Sequence, residues 1–166
     1  MVTATEDRKL TGLFLGLSIS HNMVIPNLKS YLKGIAVSNA KINRTCKEGA
    51  DKFQVKMASL NQEVCHLSGC NQQKVVLARW MMLDPDIIIQ DEPTRGIDIG
   101  AKTQIYHLMR ELAKQGKAII MISSELPEVI GMSDNIVVMF EGKITGTLSG
   151  DGATQDEIMR YAENVG

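Results

Sequence analysis

An α/β fold with a parallel core sheet and a small helical subdomain is what this sequence predicts, and three observations carry the prediction. From Asp84 onward, short β-prone apolar runs alternate with helical stripes, the order of strand and crossover helix that builds a parallel sheet. Residues from about Ser20 to Val64 are instead polar, helix-prone and poor in β-branched runs. Between them, Asn71 to Leu83 carries Val75, Val76, Leu77, Trp80, Met81, Met82 and Leu83, leaving little polar face, so it reads as a buried helix. The expected organisation over 1–166 is a helical subdomain at about 20–66, a sheet core at about 67–150 and a C-terminal helix at 151–166.

Taken in order, the helical segment has only scattered apolar anchors: Leu28, Tyr31, Leu32, Ile42 and Phe53. The buried helix stops before Pro85, which cannot continue it. Ile87, Ile88 and Ile89 then read as a buried strand, ending in Gln90, a polar residue to which the sequence attaches no function. After the loop 94–100, Ile105, Leu108, Met109 and Leu112 recur at i, i+3, i+4 and i+7 and form one helical stripe that ends at Gly116. A second strand follows at 118–122, a short helix at 124–130 and a third strand at 136–139. Residues 143–148 return as its hairpin partner across Glu141-Gly142. Thr154-Gln155-Asp156-Glu157 has the spacing of a capping box opening the last helix.

Composition narrows the function classes. A length of 166 residues, 44% hydrophobic and 22% charged, suits one globular core. The net charge of −1 gives no electrostatic reason to expect nucleic acid or an anionic membrane surface as the main partner, and no nucleic-acid partner is expected. Cys46, Cys65 and Cys70 are odd in number and show no C-x-x-C spacing, which argues against a disulfide framework or zinc site and for a reducing compartment. The apolar stretch from Leu10 to Ile19 is interrupted by Thr11 and two glycines and is far short of a membrane span. His21, His66 and His107 have no partner at ligand spacing and are expected to carry neither metal nor catalysis. The methionines, among them Met81, Met82, Met109 and Met121, read as packing.

Three motifs carry chemistry: Leu67-Ser68-Gly69-Cys70-Asn71-Gln72-Gln73 opening a helix, Ile87 to Pro93 ending a strand in Asp91-Glu92, and Gly96-Ile97-Asp98 just after. A carboxylate leaving a buried strand can hold Mg²⁺ beside nucleotide phosphates, and the next can polarise the attacking water; Asp91 and Glu92 fit those roles. As a bare pattern, such paired acids serve equally well to cap the next loop. In Ser68-Gly69 the glycine admits a phosphate close to the backbone, the hydroxyl donates to it and the positive helix end favours the anion. The plain alternative is a serine cap.

Ser68-Gly69 with Asn71-Gln72-Gln73-Lys74-Val75 resembles the ABC signature in the form used by ribose, galactose and xylose importer ATPases. Those proteins carry two ATPase domains in tandem. Glu6 to Lys9 with Gly12-Leu13, Asp91 to Asp98, Ser123 to Glu128, and Thr154 to Met159 resemble the second, and the resemblance runs from about Thr5 to Ala162. It implies a partial ABC-type P-loop NTPase domain, with ATP and Mg²⁺ bound in the complete paired protein. By the same resemblance Asp91 is the metal ligand and Glu92 the catalytic carboxylate. Ser68, Gly69 and Cys70, with Asn71 and Gln72 beside them, face the γ-phosphate of ATP on the opposing domain. Asp98 belongs to the loop linking the two sites. Glu6 stands where many ABC proteins have the glutamine that senses phosphate and couples to the membrane subunits. Ser124 stands where consensus sites have a histidine near the γ-phosphate. The implied partners are a second ABC ATPase domain, transmembrane permease subunits and, indirectly, a periplasmic sugar-binding protein. The implied location is cytoplasmic, peripheral at the inner face of the membrane, and the implied work is sugar uptake driven by ATP.

Two features depart from that family. The phosphate-binding (Walker A) loop, G-x-x-x-x-G-K-[ST] or its degenerate form, is expected upstream of Glu6, and no segment of the 166 residues matches either. Without its N–H cradle, Asp91 and Glu92 lack a properly bound nucleotide, so the chain alone is expected to be inactive, as an interaction module or a truncated fragment. The sheet is likewise expected to leave apolar side chains uncovered beside Ile87 to Ile89 and Ala118 to Ile122. Cys70 replaces the second signature glycine, so it is expected either to crowd a phosphate or to be strained by a positive φ.

Overall fold

The computed structural model describes residues 1–4, 12–33 and 36–163. The chain divides into two compact units, Met1–Ile120 and Met121–Gly166.

In the first unit, β1 (Val2–Ala4) pairs in parallel with β4 (Ile87–Asp91), Val2 opposite Ile88 and Ala4 opposite Gln90. With β5 (Ala118–Ile122) the sheet runs β1-β4-β5, and the Ala118 N–H donates to the Asp86 carbonyl at 2.9 Å. Central β4 buries Ile88, whereas the edge strand β5 leaves Ile120 and Ile122 each 51% exposed. The apolar run there is as uncovered as the sequence predicts.

The helical segment is more broken than its polar composition suggests. Helix α1 (Ile19–Val24) starts at a Ser18 cap and passes into 3-10 turns over Ile25–Tyr31, kinked at Asn27. Two short strands follow, β2 (Leu32–Lys33) and β3 (Ala36–Val37), paired antiparallel. Of the expected anchors Tyr31, Ile42 and Phe53 are buried, but Leu28 and Leu32 face solvent. Past Val24 the backbone is first 3-10 and then extended, so α-helical spacing no longer decides which side chain turns inward. Helix α2 (Asn39–Lys52) is capped by Ser38 and buries Ile42, Cys46 and Ala50 at i, i+4 and i+8.

One side chain closes the loop before α1. Asn22, wholly buried, accepts from the Phe14 N–H at 2.9 Å and donates to the carbonyls of Phe14 (2.9 Å), Ser18 (3.1 Å) and Leu17 (3.3 Å). Buried loop backbone needs such partners.

Helix α3 (Gly69–Met81) buries an unbroken run from Gln72 to Arg79, and its apolar members join Ile19, Met23, Phe53, Val64 and Ile88 in the main core. Helix α4 (Ile99–Lys114) buries Ile105, Met109 and Leu112 of the stripe read from the sequence, with its fourth member, Leu108, half-buried.

The second unit is an antiparallel hairpin between two helices. β6 (Asn135–Phe140) and β7 (Lys143–Ser149) turn through Glu141 and Gly142. Both have positive φ (47° and 78°), the geometry of a two-residue hairpin turn. The short helix expected at 124–130 forms instead as α5 at Leu126–Met132. Pro127 fits its first turn, where a missing N–H costs nothing, and Ser123 to Glu125 become its lead-in. Helix α6 (Gln155–Ala162) carries the expected capping box: Glu157 N–H donates to Thr154 Oγ1 and Thr154 N–H to the Glu157 carboxylate. Ile136, Val138 and Ile158 form the core, with Leu126, Val129, Ile130 and Leu148 against it.

Candidate functional site

Helix α3 begins at Ser68-Gly69, the turn where the sequence offers either a phosphate contact or a plain serine cap. Ser68 is the N-cap in extended backbone conformation, and its hydroxyl oxygen accepts from the Asn71 side-chain amide at 3.0 Å and more weakly from the Asn71 N–H at 3.5 Å. Asn71 Oδ1 in turn accepts from the Lys56 N–H at 2.8 Å. Ser68 is exposed and Gly69 half-buried, so the first-turn N–H groups and the positive end of a 13-residue helix open outward.

The two expectations for Cys70 meet a different outcome. The residue lies inside the helix, not in the left-handed region. Its side chain is buried, with Sγ 3.9 Å from the Ala101 carbonyl and 4.0 Å from Gln104 Oε1. The thiol packs toward α4 because a helical Cβ two residues past the cap points back into the packed face. Gln72 is buried as well and donates to the Val64 carbonyl at 3.1 Å. It braces the turn and leaves the helix mouth to Ser68 and Gly69.

Strand β4 delivers Asp91 and Glu92, both half-buried, at its C-terminal end. Glu92 has φ +46°, an uncommon left-handed conformation for a non-glycine residue. The turn after it closes through Arg95 N–H to the Glu92 carbonyl and Ile97 N–H to the Thr94 carbonyl, both 3.1 Å. Two carboxylates in succession are hard oxygen donors, the set Mg²⁺ takes, so the residues fit that ion. Asp98 then occupies the N-cap position of α4 without a side-chain cap bond, and its carbonyl accepts from Ala101 and Lys102. It is exposed, next to Ile99 at 86%.

Three ties that no local pattern in the sequence encodes hold α3 against its neighbours. Gln90 is buried beneath the strand end and accepts from Gln73 Nε2 at 3.5 Å, linking the residue before Asp91 to α3. Lys74 is only 2% exposed, and its ammonium donates to the Gln54 carbonyl (3.1 Å) and Gln104 Oε1 (2.8 Å) at the base of a cavity of about 210 Å³. Cys70 supplies the third. A polar residue at core positions of an apolar pattern, Gln90 and Lys74 here, is the only signal the sequence carried for them.

Ser124 lies in the second unit and is exposed. Beside it Ser123 Oγ donates to the buried Glu128 carboxylate at 2.5 Å and accepts from the Glu125 N–H at 3.1 Å. Glu6 lies outside the described residues. Cys46 is sealed in the core, and burial pushes its thiol up to about 11, so it is unreactive. His66, for which the sequence spacing suggests no ligating neighbour, lies beside Glu63 and Cys65, the three offering one ligand atom each within 4.8 Å of one another.

Solved ATP-binding cassettes have this fold. One is a dimeric cassette in a post-hydrolysis state bound to ADP and phosphate, with TM-score 0.73 and 22% identity over 91% of this chain and 63% of that one. Another is an ABC transporter cassette in its ADP conformation, with TM-score 0.70 and 21% identity over 96% of this chain and 63% of that one. These likenesses show the fold: an α/β domain shaped like an ATP-binding cassette. The family profile described as ABC transporter matches residues 6–95, and the chain belongs to that family. A Geobacillus kaustophilus protein, provisionally described as a ribose/galactose/methyl galactoside import ATP-binding protein, is 52% identical over 95% of this chain. Two Clostridium tetani proteins, a ribose import and a galactose/methyl galactoside import ATP-binding protein, are 49% and 46% identical over the same share. The chain spans about a third of the length of these relatives (31%, 32% and 32%). Among the described residues no helix is long and apolar enough to cross a membrane.

Proposed function

We propose that this chain is part of the ATP-binding subunit of a carbohydrate-import ABC transporter. The observation that carries the reading is about 50% identity, over 95% of the chain, to proteins named for ribose and galactose import. In this reading the exposed Ser68 hydroxyl and the first N–H groups of α3 bind the γ-phosphate of ATP held on an opposing ABC domain, with Gly69 admitting the close approach. Asn71 orients the Ser68 hydroxyl, and Cys70 and Gln72 fix the turn from behind. Asp91 holds Mg²⁺, which when bound neutralises phosphate charge. Glu92 accepts a hydrogen bond from the attacking water, Asp98 sits at the domain–domain seam, and Ser124 and Glu6 stand near the phosphate and the permease contact respectively. The subunit works on the cytoplasmic side, peripheral to the membrane through permease subunits, and a periplasmic binding protein delivers the sugar.

The chain by itself is a non-catalytic partner in this reading, because no segment of its sequence matches the phosphate-binding loop motif. The test is association with an intact import-type ABC domain whose own catalytic glutamate is replaced by glutamine, followed by sedimentation. Mg-ATP is expected to drive a one-to-one complex that Ser68→Ala weakens, with no hydrolysis by the chain alone. Steady turnover by the chain alone that disappears in Glu92→Gln overturns the non-catalytic reading. A folded chain that never associates in Mg-ATP overturns the proposed role of α3.

A further inference from the structure

The turn just before α3 carries three different ligating side chains on four residues, Glu63-Val64-Cys65-His66. One carboxylate oxygen, one thiol sulfur and one imidazole nitrogen all lie within 4.8 Å of one another, and all three side chains are exposed. We propose that Glu63, Cys65 and His66 form a binding site for one zinc-class divalent cation, with a fourth coordination position open to solvent.

The spacing suits such an ion. Zinc bonds of about 2.3 Å to sulfur and about 2.0 Å to oxygen, at the tetrahedral angle, set the two ligand atoms about 3.5 Å apart. Cys65 Sγ already stands 3.4 Å from Glu63 Oε2. His66 closes the remaining gap by turning an exposed side chain. The mixed sulfur, nitrogen and oxygen set selects a borderline cation over Mg²⁺ or Ca²⁺, which take oxygen alone.

The backbone under the three ligands is held in place. Val64, between them, is wholly buried in the main core. Its N–H donates to the Leu17 carbonyl at 3.1 Å and the Cys65 N–H to the Leu15 carbonyl at 3.2 Å, while its own carbonyl accepts from Gln72 Nε2 at 3.1 Å. Glu63 is bridged antiparallel to Ser18. The fold has therefore already ordered the ligand-bearing turn, and binding has only to fix three surface rotamers. Because His66 lies two residues before Ser68, a bound ion ties down the chain entering the mouth of α3. The site does not depend on the transport reading.

The experiment titrates the whole chain with Co²⁺, then displaces it with Zn²⁺, in a non-chelating reductant. One equivalent is expected, with the absorption of a cobalt–thiolate bond. Cys65→Ser is expected to abolish that absorption and Cys70→Ser to keep it. Losing a ligand costs at least what losing a residue behind one does, so Glu63→Gln and His66→Ala are each expected to weaken binding more than about tenfold. Zn²⁺ is also expected to shield Cys65 of the unmodified chain from alkylation, a readout that needs no variant. Absence of saturable binding, thiolate absorption that survives Cys65→Ser or is lost in Cys70→Ser, unchanged affinity in Glu63→Gln or His66→Ala, or undiminished alkylation in Zn²⁺ each overturns the proposal.

Discussion

Replacing Asn22 by aspartate keeps its shape and exchanges one amide nitrogen for oxygen, so no cavity confuses the result. The acceptor role toward the Phe14 N–H is retained. Donation is lost to the carbonyls of Phe14 and Ser18, at 2.9 and 3.1 Å, and to that of Leu17, at the longer 3.3 Å. Each good bond is worth about 1 kcal/mol net, and carbonyls left facing another oxygen add about 1–3 kcal/mol. The expected loss is about 3 kcal/mol at neutral pH. Trp80 is the only tryptophan and packs against the main core, so its fluorescence reads the first unit in a urea titration. With a slope of about 1–3 kcal/mol per molar, the midpoint should fall by about 1–3 M. The introduced carboxyl is buried among carbonyl oxygens, so its folded-state value is raised, because the protonated form alone can donate. A raised value contributes stability that is present below the unfolded value, about 3.9, and lost as pH rises through the folded one. The deficit relative to the unaltered chain should therefore be smallest in acid and grow toward neutrality. A loss under about 1 kcal/mol at neutral pH, or a deficit that grows on acidification, refutes the account of Asn22 as the loop's hydrogen-bond hub.

Other expectations follow from single contacts. A Cβ on Gly150 would overlap the Ser133 carbonyl oxygen; since backbone must move to admit it, Gly150→Ala should cost more than about 3 kcal/mol, read as accelerated amide exchange in β6 and β7. Thr154→Ala removes the α6 cap and should cost about 1 kcal/mol, confined to the exchange of that helix. Asp84 accepts from Lys117 at 2.7 Å, and that ammonium holds its carboxyl below the usual range. A depressed folded value gives stability present above the unfolded value, about 3.9, and lost as pH falls through the folded one. Asp84→Asn, which tolerates the φ of +45° found there, should therefore flatten the acid limb of stability against pH below about 4. An unchanged acid limb assigns that limb to other groups.

Much of the architecture was written locally. The stripe Ile105, Leu108, Met109 and Leu112, the apolar runs of β4 and β5, and the capping box at Thr154 each depend on neighbours within one or two turns of chain. They appear in the structure close to where the pattern puts them. The Ser68 cap and the strand-end pair Asp91-Glu92 were legible for the same reason, since helix mouths and strand ends advertise themselves in a few residues. Leu28 and Leu32 misled because the sequence does not announce where α-helical spacing gives way to 3-10 and extended backbone.

What the sequence by itself determined is the class: strand and helix order sufficed for an α/β architecture with a parallel sheet, and the resemblance of its motifs implied the ABC type. Only the tertiary structure decided which way individual polar side chains turn. It directed the Cys70 thiol against α4, hid Gln72, Lys74 and Gln90, and made Asn22 the partner of a loop eight residues away. It also gathered Glu63, Cys65 and His66 on a turn fixed by Leu15, Leu17 and Gln72. The physical reason is that a side chain's direction depends on what lies across the core from it, and contacts between α3, α4 and β4 join residues 17 to 34 positions apart. No local pattern encodes them.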